Sequence, residues 1–346
     1  MSDAVTPAPA ERGWWPLLLG LTAFLFLPHF QPLRALLPVE DTLLLLLPAL
    51  AACCLVGWWA GGRIWPAVAL VAVACWVLYQ SAVPGTFDNL VRGWSLLLAG
   101  AFGLVCLVWT RQAFFGRGLT ALGLTLVLVL GLSVRGPFSP ARARQAMTVE
   151  LSKRNKESIA SYRGLAQRYP ESAKSVPQLP GMLDELESRL NNTSEAGLGL
   201  APSLLLLESL IALALAWATY HRIARTRIGT PLGPLKDFRF NDQLVWGLIA
   251  GLAIVFVPAL DFLGGAGRNL LVFFGALYAI RGFGVLSWFL APGALAATLL
   301  VGFAMLWWPV LNAVAVLGFM LLALAAFGLG LGDTWADWRR RARPTT

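Results

Sequence analysis

Charged residues are scarce in this chain. Asp, Glu, Lys and Arg make up 13% of its 346 residues, whereas Ala, Val, Ile, Leu, Met, Phe, Trp, Tyr and Cys make up 58%. A soluble domain carries about 25% charged residues. The mean hydropathy of +0.68 agrees with this imbalance. The composition therefore excludes an ordinary soluble protein and predicts an all-α integral membrane protein with several spans.

Residues that carry metal or redox chemistry are also few. The chain has two histidines and four cysteines, and the cysteines lie in apolar runs without a CxxC motif. Such cysteines are typical of small buried hydrophobic residues and not of a disulfide framework or a zinc site. The motifs HExxH and GxSxG and the phosphate-binding P-loop are absent from the sequence. We therefore expect no enzyme activity, no catalytic residue, no metal and no cofactor.

One short motif is similar to a motif of intramembrane aspartyl proteases. The stretch "GLGD" at residues 330–333 fits their GxGD pattern. The candidate for a second aspartate is Asp261, but the predicted spans place it about 30 Å from Asp333, on the other face of the membrane. Because these enzymes need two carboxyl groups that share a proton, we exclude a protease.

Apolar runs of about 20 residues are long enough to cross a bilayer. The sequence contains about ten such runs, which lie at residues 14–31, 43–60, 64–82, 94–110, 118–134, 201–220, 243–262, 269–290, 293–308 and 310–331. The last two meet at Trp307-Trp308-Pro309 and form either a helical hairpin or one broken helix. The runs define four regions, which are an N-terminal membrane region at 1–134, an insert at 135–200, a C-terminal membrane region at 201–331 and a basic tail at 332–346.

Positive charges are unevenly distributed among the segments between the spans. If the N-terminus is cytoplasmic, the short outer loops contain only Arg34, Arg92 and Arg268, while the inner segments hold most of the other arginines. Because Lys and Arg are enriched on the cytoplasmic side, this pattern predicts that both termini lie inside. Orientation also explains the net charge of +9 without a nucleic-acid partner. The basic segment 221–242 is expected to lie along the anionic inner leaflet.

The insert at residues 135–200 interrupts the membrane pattern with a polar sequence of mixed charge. Ser139 and Pro140 are a suitable helix start. Apolar and aromatic residues then recur at helical spacing in two stripes, at Ile159, Tyr162, Leu165 and Tyr169, and at Leu183, Leu186 and Leu190. We expect a small extracytoplasmic helical hairpin. It is either a solvated hairpin without function or an interfacial or partner-binding arm, which would leave its apolar stripe exposed.

Two ionisable residues lie inside predicted spans, which makes them candidates for function. They are Glu208 in "LLLLESLIAL" and Arg281 in "YAIRGF". The predicted topology places Arg281 about 18 Å below the outer boundary and about 8 Å deeper than Glu208, a difference that a long arginine side chain can cover. Three interpretations are open. The two residues pair and lock helix packing, or they act separately, or they form a site for a small anionic or zwitterionic ligand. In a ligand site Arg281 would contact the anion beside Glu208, with three accessory polar residues, Tyr278, Asn269 and Asn312.

Three segments after residue 240 resemble a known family. The stretches "FNDQLVWGLIAGLAIVFVP", "RNLLVFFGALYAIRGFGVLSWFL" and "LGLGDTWADWRRR" resemble the YybS-type family of bacterial membrane proteins, a domain of unknown function. The resemblance covers the last third of the chain and extends more loosely back to about residue 94. It implies a protein of the bacterial inner membrane that is distantly similar to the S components of energy-coupling-factor vitamin transporters and to the rod-shape membrane protein MreD. The chain departs from S components in having more spans and in lacking an AxxxA ladder in its first helix.

The sequence leaves two functions open. The first is a non-enzymatic small-molecule binding or transport component in the style of an S component, with a cavity near mid-membrane that Arg281 faces. The second is a scaffold of cell-envelope or division machinery, similar to MreD, with a filled core and a membrane-protein partner that contacts the insert. The lipid bilayer is an expected partner in both cases, and nucleic acid in neither.

Overall fold

The computed structural model shows helices joined by short turns. It describes residues 13–80, 86–110, 112–135, 139–168, 178–224, 227–290, 293–306 and 311–336. The structure is 88% helical, with no strand among these residues, which confirms the all-α class. The chain divides into two compact units, Met1–Leu232 and Gly233–Thr346. Most of the predicted basic tail lies outside the described residues.

The first unit is organised around two of its helices. Its helices are α1 (Trp14–Phe26), α2 (Gln31–Leu36), α3 (Leu43–Trp59), α4 (Ile64–Gln80), α5 (Thr86–Val108), α6 (Phe114–Arg135), α7 (Pro140–Arg168) and α8 (Leu179–Ile223). Helix α3 packs against α4, α5 and α8, and α8 also packs against α1, α2, α6 and α7. Leu98 and Phe102 of α5 and Leu213 and Trp217 of α8 are buried in the core of this unit.

Helix α8 runs for 45 residues and joins the second predicted helix of the insert to the sixth predicted span without a break. At about 1.5 Å per residue it is about 67 Å long, roughly twice the thickness of the hydrocarbon core of a bilayer. The helix continues through Pro202. Helix α2 supports it nearby, since a Cβ added to Gly197 would lie 2.8 Å from the carbonyl oxygen of Leu36. The predicted boundary at residue 200 therefore falls inside a continuous helix.

Helix α7 and residues 179–200 of α8 form an antiparallel pair, which we call the hairpin. Asn155 Nδ2 donates hydrogen bonds to Asn191 Oδ1 at 3.1 Å and to Ser194 Oγ at 3.0 Å. Nearer the tip of the hairpin, Arg163 Nη2 contacts Glu187 Oε2 at 3.1 Å. The two helices of the hairpin are therefore joined by polar side chains along their length.

The apolar stripe of the hairpin is largely buried at its base, at Ile159 and Leu190, whereas Tyr162 is 37% exposed and Leu183 is half-buried. Ile159 is 3% exposed and packs with Leu190 and with Ala35 of α2. Leu186 is partly buried against the same cluster, while the side chain of Leu165 lies outside the described part of the chain. The stripe is used to hold the hairpin together and to attach it to α2.

Five helices in the described chain are long and apolar enough to cross a membrane. They are Phe87–Val108, Phe114–Ser133, Pro180–Ile223, Pro258–Phe289 and Ala313–Ala336. Other apolar helices are shorter, at Trp14–His29, Leu43–Trp59, Ile64–Gln80 and Asp242–Phe256. The first predicted span is shortened because Pro28 lies in a 3₁₀ turn that follows α1. The structure supports a membrane protein with several spans, and the number of about ten stays a prediction.

The second unit is built around α10. Its helices are α9 (Val245–Phe256), α10 (Gly264–Phe289), α11 (Ala294–Leu306) and α12 (Asn312–Ala336), with 3₁₀ turns at Leu235–Asp237, Asp242–Leu244 and Pro258–Leu263. Helix α10 packs against α9 and α12, and α11 packs against α12. The last two predicted spans are thus separate helices, although their junction at Trp307-Trp308-Pro309 lies outside the described residues.

Helices α10 and α12 cross with their backbones in contact. A Cβ added to Gly282 would overlap the carbonyl oxygen of Ala326, and one added to Gly330 would overlap that of Tyr278. Only glycine leaves room for such an approach, as small residues do at many membrane helix interfaces. The crossing places the end of α12 directly beside Arg281.

Gly282→Ala should destabilise the protein by about 2 kcal/mol or more, because the added methyl group forces the two helices apart. Gly275→Ala on the same helix is the matched control, since nothing lies within 4 Å of its added Cβ. It should be neutral or stabilise the protein by up to about 1 kcal/mol through helix propensity. The measurement is the free energy of unfolding in detergent micelles. Equal stability of the two variants would contradict the close crossing.

Candidate functional site

Arg281 lies on α10 between two carboxylates and is 3% exposed. Its Nε donates a hydrogen bond to Asp333 Oδ2 at 3.0 Å, and its Nη2 donates one to the main-chain oxygen of Asp333 at 3.1 Å. Its Nη1 donates a hydrogen bond to Asp242 Oδ1 at 2.6 Å. We call these three residues the ion triad. It explains why an arginine is tolerated in an apolar helix, because each side of the guanidinium has a carboxylate partner.

The turn that carries Asp242 is formed by its own local sequence. Asn241 Oδ1 accepts a hydrogen bond from the Gln243 N–H at 3.0 Å and so caps the 3₁₀ turn Asp242–Leu244. This turn continues directly into α9, and a carboxylate at a helix start is favoured by the helix dipole. The Asp242 side chain is 59% exposed, so it forms the open side of the triad.

Asp333 forms the closed side of the triad. Its side chain is 0% exposed, and it lies in the last turn of α12, where the helix dipole disfavours a negative charge. Its main-chain oxygen is one of the last four of the helix, which have no donor within the helix. Arg281 supplies a charge to the carboxylate and a donor to the carbonyl. The two residues therefore depend on each other.

Two aromatic side chains complete the site. The guanidinium carbon of Arg281 lies 5.3 Å from the ring centre of Phe240, within the range of a cation–π contact. Phe240 packs edge-to-face on Tyr278 with ring centres 5.1 Å apart. Tyr278 is fully buried one turn before Arg281 on α10. The segment 240–242 is therefore held on α10 by the ring contact of Phe240 with Tyr278 and by the ion pair of Asp242 with Arg281.

The structure brings together only two of the five predicted ligand residues, Arg281 and Tyr278. Asn269 lies about 18 Å before Arg281 along α10, and its Nδ2 donates a hydrogen bond to the Gly265 oxygen of the same helix at 2.8 Å. Asn312 begins α12, at the opposite end from Asp333, and its side chain lies outside the described residues. These two asparagines are therefore not part of the site around Arg281.

Glu208 and Arg281 each have hydrogen-bond partners within their own unit. Glu208 lies on α8 in the first unit, is 5% exposed, and its Oε2 accepts a hydrogen bond from the Val39 N–H at 3.3 Å. Arg281 takes both of its carboxylate partners from the second unit. The sequence did not identify these partners, because similar depth in a membrane does not show which helices are neighbours.

A second group of charged residues lies where the hairpin meets α2 and segment 37–42. Arg154 of α7 is 4% exposed, and its Nε lies 3.0 Å from Glu150 Oε1 and 3.3 Å from Glu40 Oε2. Its Nη atoms donate hydrogen bonds to the carbonyl oxygens of Leu37 and Pro38 at 3.3 and 3.4 Å. One arginine of the hairpin therefore binds both the backbone and a side chain of the segment between α2 and α3.

Arg34 of α2 extends this ion cluster. Its Nε lies 2.8 Å from Glu40 Oε1, and its Nη2 lies 3.2 Å from Glu157 Oε2 on α7. Together with the hydrogen bond between Glu208 and Val39, these contacts hold segment 37–42 from α2, α7 and α8. We call this group the hairpin ion cluster.

Sequence reasoning missed Asp242, Asp333 and Arg154. Asp333 was noted only as part of the GLGD motif, and Asp242 only as part of a basic segment. A usable signal was present for Asp242, because Asn-Asp before an apolar helix is a typical helix start. For Arg154 no pattern distinguishes it from the other basic residues of α7.

Asp333→Asn should destabilise the protein by about 3–5 kcal/mol, because it leaves a buried guanidinium short of a charge partner. Asp242→Asn should cost about 1 kcal/mol or less, because that carboxylate is largely exposed. Unfolding free energies in micelles test both values. In double-mutant cycles, Arg281→Gln should couple to Asp333→Asn and be additive with Glu208→Gln. Equal losses for the two aspartate variants would contradict the assignment of an open and a closed side.

Comparison with known proteins agrees with a membrane location. Residues 161–320 match the model of a family described as predicted membrane protein, DUF2232. The matched range includes Glu208, Asp242 and Arg281 and ends before Asp333. No curated protein and no solved structure matches the chain. Over that range, the chain is similar to an uncharacterised family of membrane proteins.

Proposed function

We propose that this chain is a non-enzymatic multi-pass membrane protein that presents its hairpin to a protein partner, as a scaffold of cell-envelope or division machinery does. The observation that carries the proposal is the continuity of α8, which forms one helix of the hairpin and then one span. A contact surface on the hairpin is thereby fixed relative to the membrane. A preorganised surface loses less conformational entropy on binding than a flexible arm.

The hairpin ion cluster supports this proposal. Arg34 and Arg154 connect the hairpin to segment 37–42, and Arg154 does so while nearly fully buried. A hairpin without function would not need a buried, hydrogen-bonded arginine, which is costly to desolvate. The cluster keeps the hairpin in one orientation on α2 and segment 37–42.

The outer surface of the hairpin is charged. Lys153, Lys156 and Arg163 are exposed on α7, while Asp184 and Glu185 are exposed on α8. The exposed charges of α7 are therefore mainly basic and those of the hairpin part of α8 mainly acidic, with Glu157 and Arg189 as exceptions. Such a surface suits a partner with the complementary charge pattern, because charge complementarity gives specificity and speeds association. The partner surface we propose is thus polar, since the apolar stripe is already used within the first unit.

Packing in the second unit also favours a scaffold over a small-molecule binder. The donors of Arg281 are taken by Asp333 and Asp242, and α10 and α12 touch at Gly282 and Gly330. A binder was expected to have a cavity that Arg281 faces. The filled surroundings of the triad fit the role of a packing site.

A small-molecule binding or transport component, in the style of an S component, is the second candidate. One observation favours it, because Asp242 is largely exposed on a short turn. A ligand carboxylate would take its place against Nη1 of Arg281, with Phe240 and Tyr278 beside it. This candidate requires that Asp242 leave the arginine.

We place the protein in the bacterial cytoplasmic membrane with both termini inside and the hairpin outside. Charge counting assigns segment 32–42 and the insert to the same outer side. Their contact through Arg34 and Arg154 supports that common side. The orientation itself rests on the distribution of Lys and Arg.

A photo-cross-linking residue at Lys156, on the exposed face of α7, should form an adduct with one discrete membrane or envelope protein in intact cells. The same residue at Leu321, which is 58% exposed on apolar α12, is the control and should react with lipid. Adducts are identified by mass spectrometry. Absence of a protein adduct at Lys156, or the same adducts at both positions, would count against the scaffold.

The second candidate is tested by mass spectrometry of small molecules that co-purify with the intact protein and with Arg281→Gln. The scaffold proposal expects lipid alone in both samples. A discrete metabolite that is present with the native protein and absent from the variant would establish Arg281 as a ligand contact and replace the scaffold proposal.

A further inference from the structure

The first unit contains an open cleft between the turn that joins α3 to α4 and the C-terminal end of α8. The cleft is small, and its cavity volume is about 100 Å³. Its lining includes Gly57, Trp58, Arg63, Tyr220, Ile223 and Ala224. Neither the ion triad nor the hairpin ion cluster contributes to it, so the cleft is a separate feature.

The cleft lies between the C-terminal end of α3, the turn that follows it and the C-terminal end of α8. Gly61 has a φ of 93°, which lets the chain reverse sharply after α3. The N–H groups of Gly61 and Gly62 donate to the carbonyl oxygens of Trp58 and Gly57, both at 2.9 Å. These bonds satisfy the carbonyl groups of Gly57 and Trp58 within the turn, so these two groups do not face the cleft as free acceptors.

The inner wall is formed by Tyr220 of α8, which is 1% exposed. Its ring packs directly on Gly57, where an added Cβ would lie 2.7 Å from the ring. Its hydroxyl accepts a hydrogen bond from the Ile228 N–H at 3.2 Å. The wall is therefore fixed by the backbone on both sides, which makes the cleft a formed feature and not a gap between mobile side chains.

The surroundings of the cleft are those of a membrane–water interface. Trp58, Trp59 and Trp65 are 41%, 77% and 77% exposed, and such tryptophans gather at the level of the lipid headgroups. Ile223, which is 39% exposed, adds an apolar surface at the same cleft. The basic segment that follows α8 begins here, on the side that the charge distribution assigns to the anionic inner leaflet.

The lining combines one positive charge with apolar surface. Arg63 is exposed at the cleft, and none of the lining residues is acidic. An arginine binds a phosphate group well, because its N–H donors match the phosphate oxygens. Free phosphate would make no use of Trp58 and Ile223, whereas a phospholipid presents both a phosphate and apolar chains.

We propose that this cleft binds the headgroup of an anionic phospholipid. Arg63 contacts the phosphate, and Trp58 and Ile223 pack against the glycerol and the first part of an acyl chain. The site anchors the α3–α4 turn to the leaflet that the basic segment contacts. It is independent of the hairpin and of its partner.

The test compares binding of phosphatidylglycerol and phosphatidylcholine to the full chain in micelles, measured by native mass spectrometry. Arg63→Gln should lower the preference for phosphatidylglycerol about fivefold, the effect of one arginine near an anionic surface. Ala224→Leu fills the cleft without a charge change and should lower it similarly. Arg268→Gln removes an exposed arginine from the second unit and is the matched control, with no expected change. Thermal unfolding of each variant checks that it is folded.

Three outcomes would overturn the proposal. The first is an unchanged preference in Arg63→Gln or in Ala224→Leu, which would show that the cleft is not the site. The second is an equal loss in Arg268→Gln, which would show diffuse attraction by the whole chain. The third is full displacement of phosphatidylglycerol by inorganic phosphate, which would show an anion site without a role for the lipid chains.

Discussion

The charge of Arg281 has to be neutralised within an apolar helical unit, and the second unit is arranged around this requirement. The glycine crossing of α10 and α12 brings Asp333 to the arginine, and the capped turn before α9 brings Asp242. In return, Arg281 donates hydrogen bonds to Oδ2 of the Asp333 carboxylate and to a terminal carbonyl of α12. A buried ion pair adds little stability compared with well-packed apolar residues, but breaking it is costly. Its main effect is to specify which helix ends meet.

The first unit uses a buried arginine in a related way. Arg154 binds two backbone carbonyls and two carboxylates, and so attaches a loop to a helix that is distant in sequence. In both units the arginine also donates hydrogen bonds to backbone oxygens. The guanidinium group suits this role because it has five donors and keeps its charge under all ordinary conditions. The two arginines differ in their surroundings. Arg154 belongs to the hairpin ion cluster, which joins segment 37–42 to a hairpin with an exposed surface.

Composition and periodicity were sufficient to predict the helical class, the insert and the need of Arg281 for a partner. They did not show which residue is that partner, because Asp333 and Asp242 lie 52 and 39 residues away in the chain. The contact depends on a helix crossing at Gly282 and Gly330, and glycine pairs are too common in this sequence to mark it. Continuity of α8 was missed for a different reason. A change from polar to apolar sequence resembles a boundary, but hydrogen bonding in a helix does not depend on that change. The partners of Arg281 lie at the start of α9 and the end of α12, two helix ends that the sequence pattern did not place together.

The charge balance of the ion triad bears on the choice between the two functions. One arginine already faces two carboxylates, so an added anionic ligand would bring a third negative charge into the same few ångströms, which Coulomb repulsion disfavours. Such a ligand binds only if Asp242 leaves, and Asp242 belongs to the turn that starts α9. Ligand binding at Arg281 would therefore be coupled to a movement at the start of α9. Presentation of the hairpin needs no such movement, because α8 and the hairpin ion cluster already fix its orientation. The scaffold thus requires fewer changes to the observed structure, and the exposed carboxylate of Asp242 is the position at which a small-molecule function would first become visible.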